Sequence, residues 1–214
     1  MERFDLFIEK LKHALQTELP GPKAQYKMAP VIRNFFPANK SMNVDNPGNS
    51  AVLILLFPVK KTVHTVFIRR ARTNGPHSGQ ISFPGGKFEP QDKNLEDTAL
   101  RETREELGCD TQNIKVIGKL SKLHIPVSNL NVYPFVAYSN DRPKYKPNAS
   151  EVQYVIEAAL ENFLNRKNLT RKMITSKGFS LKAPFYNLNN QFQLWGATAM
   201  ILAEFIEIIN NMKK

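Results

Sequence analysis

FPGGKFEPQDKNLEDTALRETREELG, residues Phe83–Gly108, is the stretch whose reading decides the rest. Its second half predicts a helix. Asn94 can cap the N-terminus, Asp97 stands three residues on, and Gly108 follows as the stop. Leu95, Ala99, Leu100, Thr103 and Leu107 recur at helical spacing and give one buried stripe. Glu102, Glu105 and Glu106, at i, i+3 and i+4, fall together on one side. Like charges so placed cost roughly 0.2–0.5 kcal/mol per pair, so a helix without a use for them has little reason to collect them. A divalent cation would turn that repulsion into coordination, because hard cations prefer carboxylate oxygens. The plainer alternative is a solvated acidic face, and the interleaved Arg101 and Arg104 are compatible with it.

The residues ahead of the helix separate the two readings. Gly85-Gly86 lets the backbone turn sharply and bring a carbonyl close to a ligand without side chains in the way. With this turn included, the stretch resembles the Nudix box of the Nudix hydrolase superfamily. That box runs Gly, five residues, Glu, seven residues, then Arg-Glu-aliphatic-x-Glu-Glu-x-Gly-aliphatic. Arg101–Cys109 fills its second part, with Thr103 and Cys109 in the aliphatic places. Gly86 fits the opening glycine and Asp92 falls where the first Glu is expected. Eight residues rather than seven then precede Arg101, so the loop is one residue long.

Composition narrows the class. A chain of 214 residues, 42% apolar and 23% charged, suits one soluble domain, read as residues 1–214 with a Nudix core from about 51 onward. The apolar run Ala51–Phe57 is too short to span a bilayer and stops at Pro58. MERFDLFIEK carries acids where a signal peptide needs a basic start, so a cytoplasmic location is expected. The single Cys109 excludes an internal disulfide and reads as a small buried hydrophobe. The net charge of +11 is scattered, with basic residues adjacent only in pairs; it suits attraction of phosphorylated small molecules, with nucleic acid a minority partner. Homodimerisation stays open.

Along the chain, Phe4, Phe7, Ile8, Leu11 and Leu15 predict a helix over 2–17, and 20–50 reads as mostly extended loop. Strands are expected at 51–59, 62–69, 113–123, 132–139 and 152–159. Asn74-Gly75-Pro76 marks a turn, 161–165 a short helical turn, and 166–182 a basic irregular stretch. A hairpin is expected about Asn189-Asn190, then an amphipathic helix over 198–209 with Thr198 as its cap and Trp195 packed in the core. Strands flanked by helices predict a mixed sheet covered on both faces. The resemblance implies the same fold, an α/β/α sandwich.

The resemblance also implies chemistry. Nudix boxes bind Mg²⁺ or Mn²⁺ and cleave the diphosphate of a nucleoside diphosphate linked to another group. Glu102, Glu105 and Glu106 would be the metal ligands, with the Gly86 carbonyl a fourth. Arg101 would hold a glutamate by charge-assisted hydrogen bonds, although a surface ion pair with Glu105 is the plainer reading. Family members recruit different glutamates as general base, from within the box or from a later loop. Glu105 and Glu106 are the candidates inside it and Glu151 the preferred one downstream, ahead of Glu157.

Upstream the likeness narrows further. Val66–Ala71, Gly79, Phe83–Gly86 and Glu89 resemble the motif of the coenzyme A pyrophosphatases within this superfamily. Leu123–Asn129 and Trp195–Ala199 resemble two further segments of the same group. On that basis Arg70, with neighbouring Arg69, Arg72 and His77, is expected at the substrate. Ile68 replaces the usual Thr and Gly75 the second Arg of the motif. The substrate implied is coenzyme A or an acyl derivative, split into 3′,5′-ADP and the 4′-phosphopantetheine moiety. Gly75 favours the alternative of ADP-ribose, a dinucleotide or a damaged nucleotide. A further alternative is a module that binds nucleotide or RNA without turnover, against which the three intact glutamates speak.

Overall fold

The computed structural model describes residues 4–30, 46–72, 77–165, 168–176, 179–188 and 191–212. The expected turn at Asn74-Gly75-Pro76 and the tip at Asn189-Asn190 lie outside them. Helix α1, Phe4–Leu15, buries Ile8, Leu11 and Leu15 along one stripe. The loop expected from residue 20 is instead a short helix α2, Gly21–Gln25, continued by a 3₁₀ turn at Tyr26–Met28. Five residues are too few to show a period, and what holds them is tertiary. Buried Gly21 and Gln25 donate a backbone N–H and a side-chain amide to Glu204.

Strand β1, Gly48–Val59, is the axis of the main sheet. It runs parallel to β7, Leu130–Tyr138, from Gly48↔Leu130 to Leu56↔Tyr138. Its other edge pairs with β2, Thr62–Arg70, only from Leu56 onward. Beyond that point β1 and β2 take different partners. Strand β3, Ile81–Ser82, pairs with the end of β2, and β4, Gly85–Lys87, pairs with Ser50–Val52 of β1. Phe83-Pro84 thus crosses from one strand to the other, and Leu53 N–H donates to the Pro84 carbonyl at 2.9 Å. The glycine turn is a wedge between two strands that part.

The strand expected over 113–123 is two: β5, Lys115–Lys119, and β6, Leu123–Ile125, both antiparallel to β7. The register slips between Val116 and Gly118, and Ser121 N–H turns away to Glu204. Strand β8, Val152–Ala159, closes the outer edge of β2. Alternate residues of β1 serve opposite faces, which is why its sequence is apolar without a break. Ile54 and Leu56 join the layer of α1 and the C-terminal helix; Leu53, Leu55 and Phe57 join the layer that carries Ala99 and Leu107. The expected α/β/α sandwich is the fold observed.

Beyond β8 the chain departs from expectation once more. Helix α4, Glu161–Leu164, leads to a separate three-stranded sheet of β9, Leu169–Ser176, β10, Phe179–Asn187, and β11, Gln193–Leu194. The stretch 166–182 is therefore largely strand, not irregular. Leu169 and Met173 of β9 are exposed, so backbone pairing rather than burial holds it and no hydrophobic period marks it. The expected hairpin flanks do pair, Tyr186 with Leu194 and Asn187 with Gln193. The C-terminal helix, Gly196–Asn211, starts two residues early, with Trp195 at its cap position. Thr198 caps nothing: its hydroxyl donates to the Ile81 carbonyl and ties the helix to β3. Trp195 is half-buried, tilted against Phe185.

Candidate active site

The acidic helix spans Leu95–Leu107 and is α3 in chain order; the C-terminal helix is α5. Asn94 Oδ1 accepts from Asp97 N–H at 2.9 Å, and Gly108 closes the other end at φ +61°. Ala99, Thr103 and Leu107 are buried as expected, while Leu95 and Leu100 are only half-buried. The buried face includes one charged residue. Glu106 is fully enclosed. Its Oε2 accepts from Gly85 N–H at 2.8 Å and its Oε1 from Arg70 Nη1 at 2.8 Å. Burial pushes its carboxyl up to about 7, against the pull of Arg70 and the Gly85 N–H, with Glu102 and Glu151 adding to the rise.

Glu102 lies directly against the glycine wedge. A Cβ on Gly86 would stand 2.2 Å from Glu102 Oε1, so only glycine leaves that carboxylate its place. Burial raises its carboxyl too, and Arg101 opposes the rise. Glu105 is the most open of the three, its side chain nearly half exposed.

Arg101 organises the loop before the helix. Its Nε and Nη2 grip Asp92 at 2.7 and 3.0 Å, and Nη2 also donates to the Lys87 carbonyl. Its Nη1 donates to Glu102 Oε1 and Glu105 Oε2, both at 3.0 Å. Buried Asp92 accepts further from Thr98 Oγ1 and Glu89 N–H, and Arg101 holds its carboxyl far below the usual carboxylate range. The sequence itself names no partner for Asp92. Its position as the first acid of the box was the signal, and the extra loop residue obscured it. Among the described residues no three His, Cys, Asp or Glu side chains gather at one point as a finished cation nest; the acids are shared between Arg101 and Arg70.

Glu151 arrives from the loop between β7 and β8. That loop crosses the end of α3, with Lys146 N–H on the Leu107 carbonyl and Asn148 N–H on the Glu106 carbonyl. The charge of Glu151 reaches both Glu102 and Glu106, raising their carboxyls. Glu157 is taken up by Arg142, at 2.9 Å. Of the residues expected at the substrate, Arg70 alone is bonded to the acids, through Glu106. Arg69 stacks near the rings of Tyr154 and Phe192, Arg72 is exposed, and His77 Nδ1 faces Gln80 Oε1 at 3.1 Å. His124 is exposed beside Asn131, and burial pushes the Cys109 thiol up to about 11, consistent with an inert core residue.

A mixed sheet with an acidic helix facing a glycine wedge between two parting strands defines an α/β/α fold with a carboxylate-lined site. The NUDIX domain family matches residues 48–173. The chain belongs to the Nudix hydrolase family. Among curated relatives, Nudix hydrolase 15, mitochondrial, of Arabidopsis thaliana is 33% identical over 172 residues, 78% of this chain and 60% of that protein. The chain therefore spans about three fifths of that relative's length. The mitochondrial coenzyme A diphosphatase NUDT8 of Homo sapiens is 33% identical over 167 residues, 76% of this chain and 70% of its own. The fold is shared with the Nudix hydrolase RenU of M. Smegmatis, at TM-score 0.52 and 12% identity over 78% of this chain and 88% of that one.

Proposed function

We propose that this chain hydrolyses the diphosphate of coenzyme A or its acyl derivatives, releasing 3′,5′-ADP and (acyl-)4′-phosphopantetheine. The observation that carries the substrate is similarity, at 33% and 35% identity, to human and mouse proteins named mitochondrial coenzyme A diphosphatase. The donor set suits a hard divalent cation, Mg²⁺ or Mn²⁺: carboxylates of Glu102, Glu105 and Glu106 with the Gly86 carbonyl. Burial raises the carboxyls of Glu102 and Glu106 against the pull of Arg101 and Arg70, and a bound cation would favour their charged forms. Bound there, such an ion supplies neutralisation of diphosphate oxygens and a more acidic water.

The chain's own groups do the rest. Arg101 holds Glu102 and Glu105, and Arg70 with Gly85 N–H holds Glu106. Glu151, at the rim, is the general base. Water's oxygen forms the new P–O bond, the bridging P–O bond breaks, and water's proton passes to Glu151 and on to solvent. Arg69, Arg72 and His77 are assigned to the substrate side, on β2 and the loop after it.

A second reading, hydrolysis of ADP-ribose, a dinucleotide or a damaged nucleotide, is favoured by Gly75, which stands where the coenzyme A motif carries its second arginine. Incubation with each substrate plus Mg²⁺ or Mn²⁺, with products identified by mass, decides between them. Coenzyme A is expected to be preferred; a strong preference for ADP-ribose would overturn the substrate and leave the chemistry. Glu106→Gln is expected to abolish turnover with the fold intact, and unchanged turnover would remove the carboxylate assignment.

A further inference from the structure

Gly108 allows an unusually close crossing at the end of the acidic helix. A Cβ there would lie 1.9 Å from the Lys146 carbonyl oxygen. Across this gap the β7–β8 loop hangs from α3, with Asn148 N–H on the carbonyl of Glu106 at 3.2 Å. Asn148 then gathers Ser150, Glu151 and Val152. Its carbonyl accepts from Glu151 N–H at 3.0 Å and Val152 N–H at 2.8 Å. Its Oδ1 accepts from Ser150 N–H at 3.1 Å and Ser150 Oγ at 2.7 Å. Its Nδ2 donates to Glu151 Oε1 at 3.2 Å. The amide can face only one way, because a backbone N–H must meet the oxygen, which leaves the NH₂ for the carboxylate. The Glu151 carbonyl in turn accepts from Ala71 N–H at 2.7 Å, at the end of β2.

We propose that Asn148 is a positioning residue for the reaction: it fixes the Glu151 carboxylate relative to the acidic helix and aims it at the attacking water. The proposal rests on Glu151 being the general base. An exposed glutamate has many rotamers, and a donor built into a rigid turn selects among them. The turn itself needs only the Oδ1 bonds to Ser150. The contact from Nδ2 to Glu151 is surplus to the turn. A neutral amide also orients the carboxylate without a full counter-charge, which would weaken it as a base. The charged groups that face it are Glu102 and Glu106 on α3, with Arg70 on β2 bonded to Glu106.

Asn148→Asp separates the two duties. Aspartate keeps the oxygen that closes the turn on Ser150 and sets a like charge against Glu151. Measured on whichever diphosphate the chain hydrolyses, N148D is expected to keep its melting temperature and KM while kcat falls at least about tenfold. The acid limb of its kcat–pH profile should move to higher pH, because the added charge makes the carboxyl hold its proton. In an Glu151→Gln background, itself inactive, N148D should add nothing. Wild-type turnover in E151Q would remove the base reading itself. An inactive E151Q beside an N148D with wild-type kcat and pH profile would overturn the role of Asn148. If N148D melts early, Asn148→Ser, which keeps a turn-closing oxygen and adds no charge, repeats the kcat comparison well below its melting point; lowered kcat supports the proposal and wild-type kcat overturns it.

Discussion

Gly85 and Gly86 are neighbours with different duties. At φ +152°, Gly85 sits where a Cβ would meet the Ala51 carbonyl at 2.2 Å and Val52 Cα at 2.6 Å, both main-chain atoms that cannot yield. Gly85→Ala is expected to cost roughly 3 kcal/mol, read by urea denaturation. Gly86 would press only on the tip of Glu102, a side chain that can swing aside. Gly86→Ala should therefore lose about 1 kcal/mol or less while kcat drops about 100-fold. Normal turnover in that variant would mean that Glu102 need not lie against the turn. Asp92 adds a pH dependence. Its carboxyl is depressed in the fold by Arg101, so its contribution is present above the unfolded value of about 3.9 and is lost as pH falls through that value and below. Asp92→Asn is expected to cost roughly 3 kcal/mol at pH 7, and the gap to wild type should narrow in denaturation below about pH 4. At this scale the glycines and glutamates were legible, because helical spacing gathers the glutamates and the glycine turn ahead of them completes the resemblance to the Nudix box. The Asp92–Arg101 grip was not, since nothing in a spacing tells how a lengthened loop is drawn closed by Thr98 and the Glu89 N–H.

Among the elements, those with a strong period were legible: α1, α3, α5, and strands β1, β2, β7 and β8 all stand within a few residues of expectation. Those held by partners rather than by their own pattern were not. Helix α2 exists because α5 carries a buried carboxylate. Glu204 is fully enclosed and accepts from Gly21 N–H, Gln25 Nε2 and Ser121 N–H, so it joins α5, α2 and the β5–β6 connection. A glutamate in an apolar helix offers no sign in sequence of which donors it will find. Glu204→Ala would leave the N–H groups of Gly21 and Ser121 without their acceptor and Gln25 Nε2 with the Ser121 carbonyl as its remaining partner, and is expected to cost roughly 3 kcal/mol, measured by thermal and urea unfolding. It touches none of the residues of the acidic site, so kcat/KM well below the melting point should stay at the wild-type value. A fall in kcat/KM with stability unchanged would show that this staple reaches the site.

At the scale of the molecule, the site exists because β1 and β2 part and the Phe83–Gly86 wedge fills the fork, aiming two glycines at α3. Hydrophobic runs announced both strands, but divergence is a matter of register and could not be read from them. Around this acidic site the chain is strongly basic, at +11. The combination has a consequence for substrate capture. A polyanion is drawn by the long-range field, which salt screens, whereas chemistry inside the site depends on short, partly buried contacts that salt screens little. Raising ionic strength from about 0.01 M to about 0.15 M shortens the Debye length from about 30 Å to about 8 Å. At fixed free metal concentration, kcat/KM is expected to fall severalfold over that range while kcat changes little. The slope should be steeper for coenzyme A, which carries a 3′-phosphate besides its diphosphate, than for dephospho-coenzyme A, which lacks it. Equal slopes for the two would mean that the net charge serves solubility and not capture.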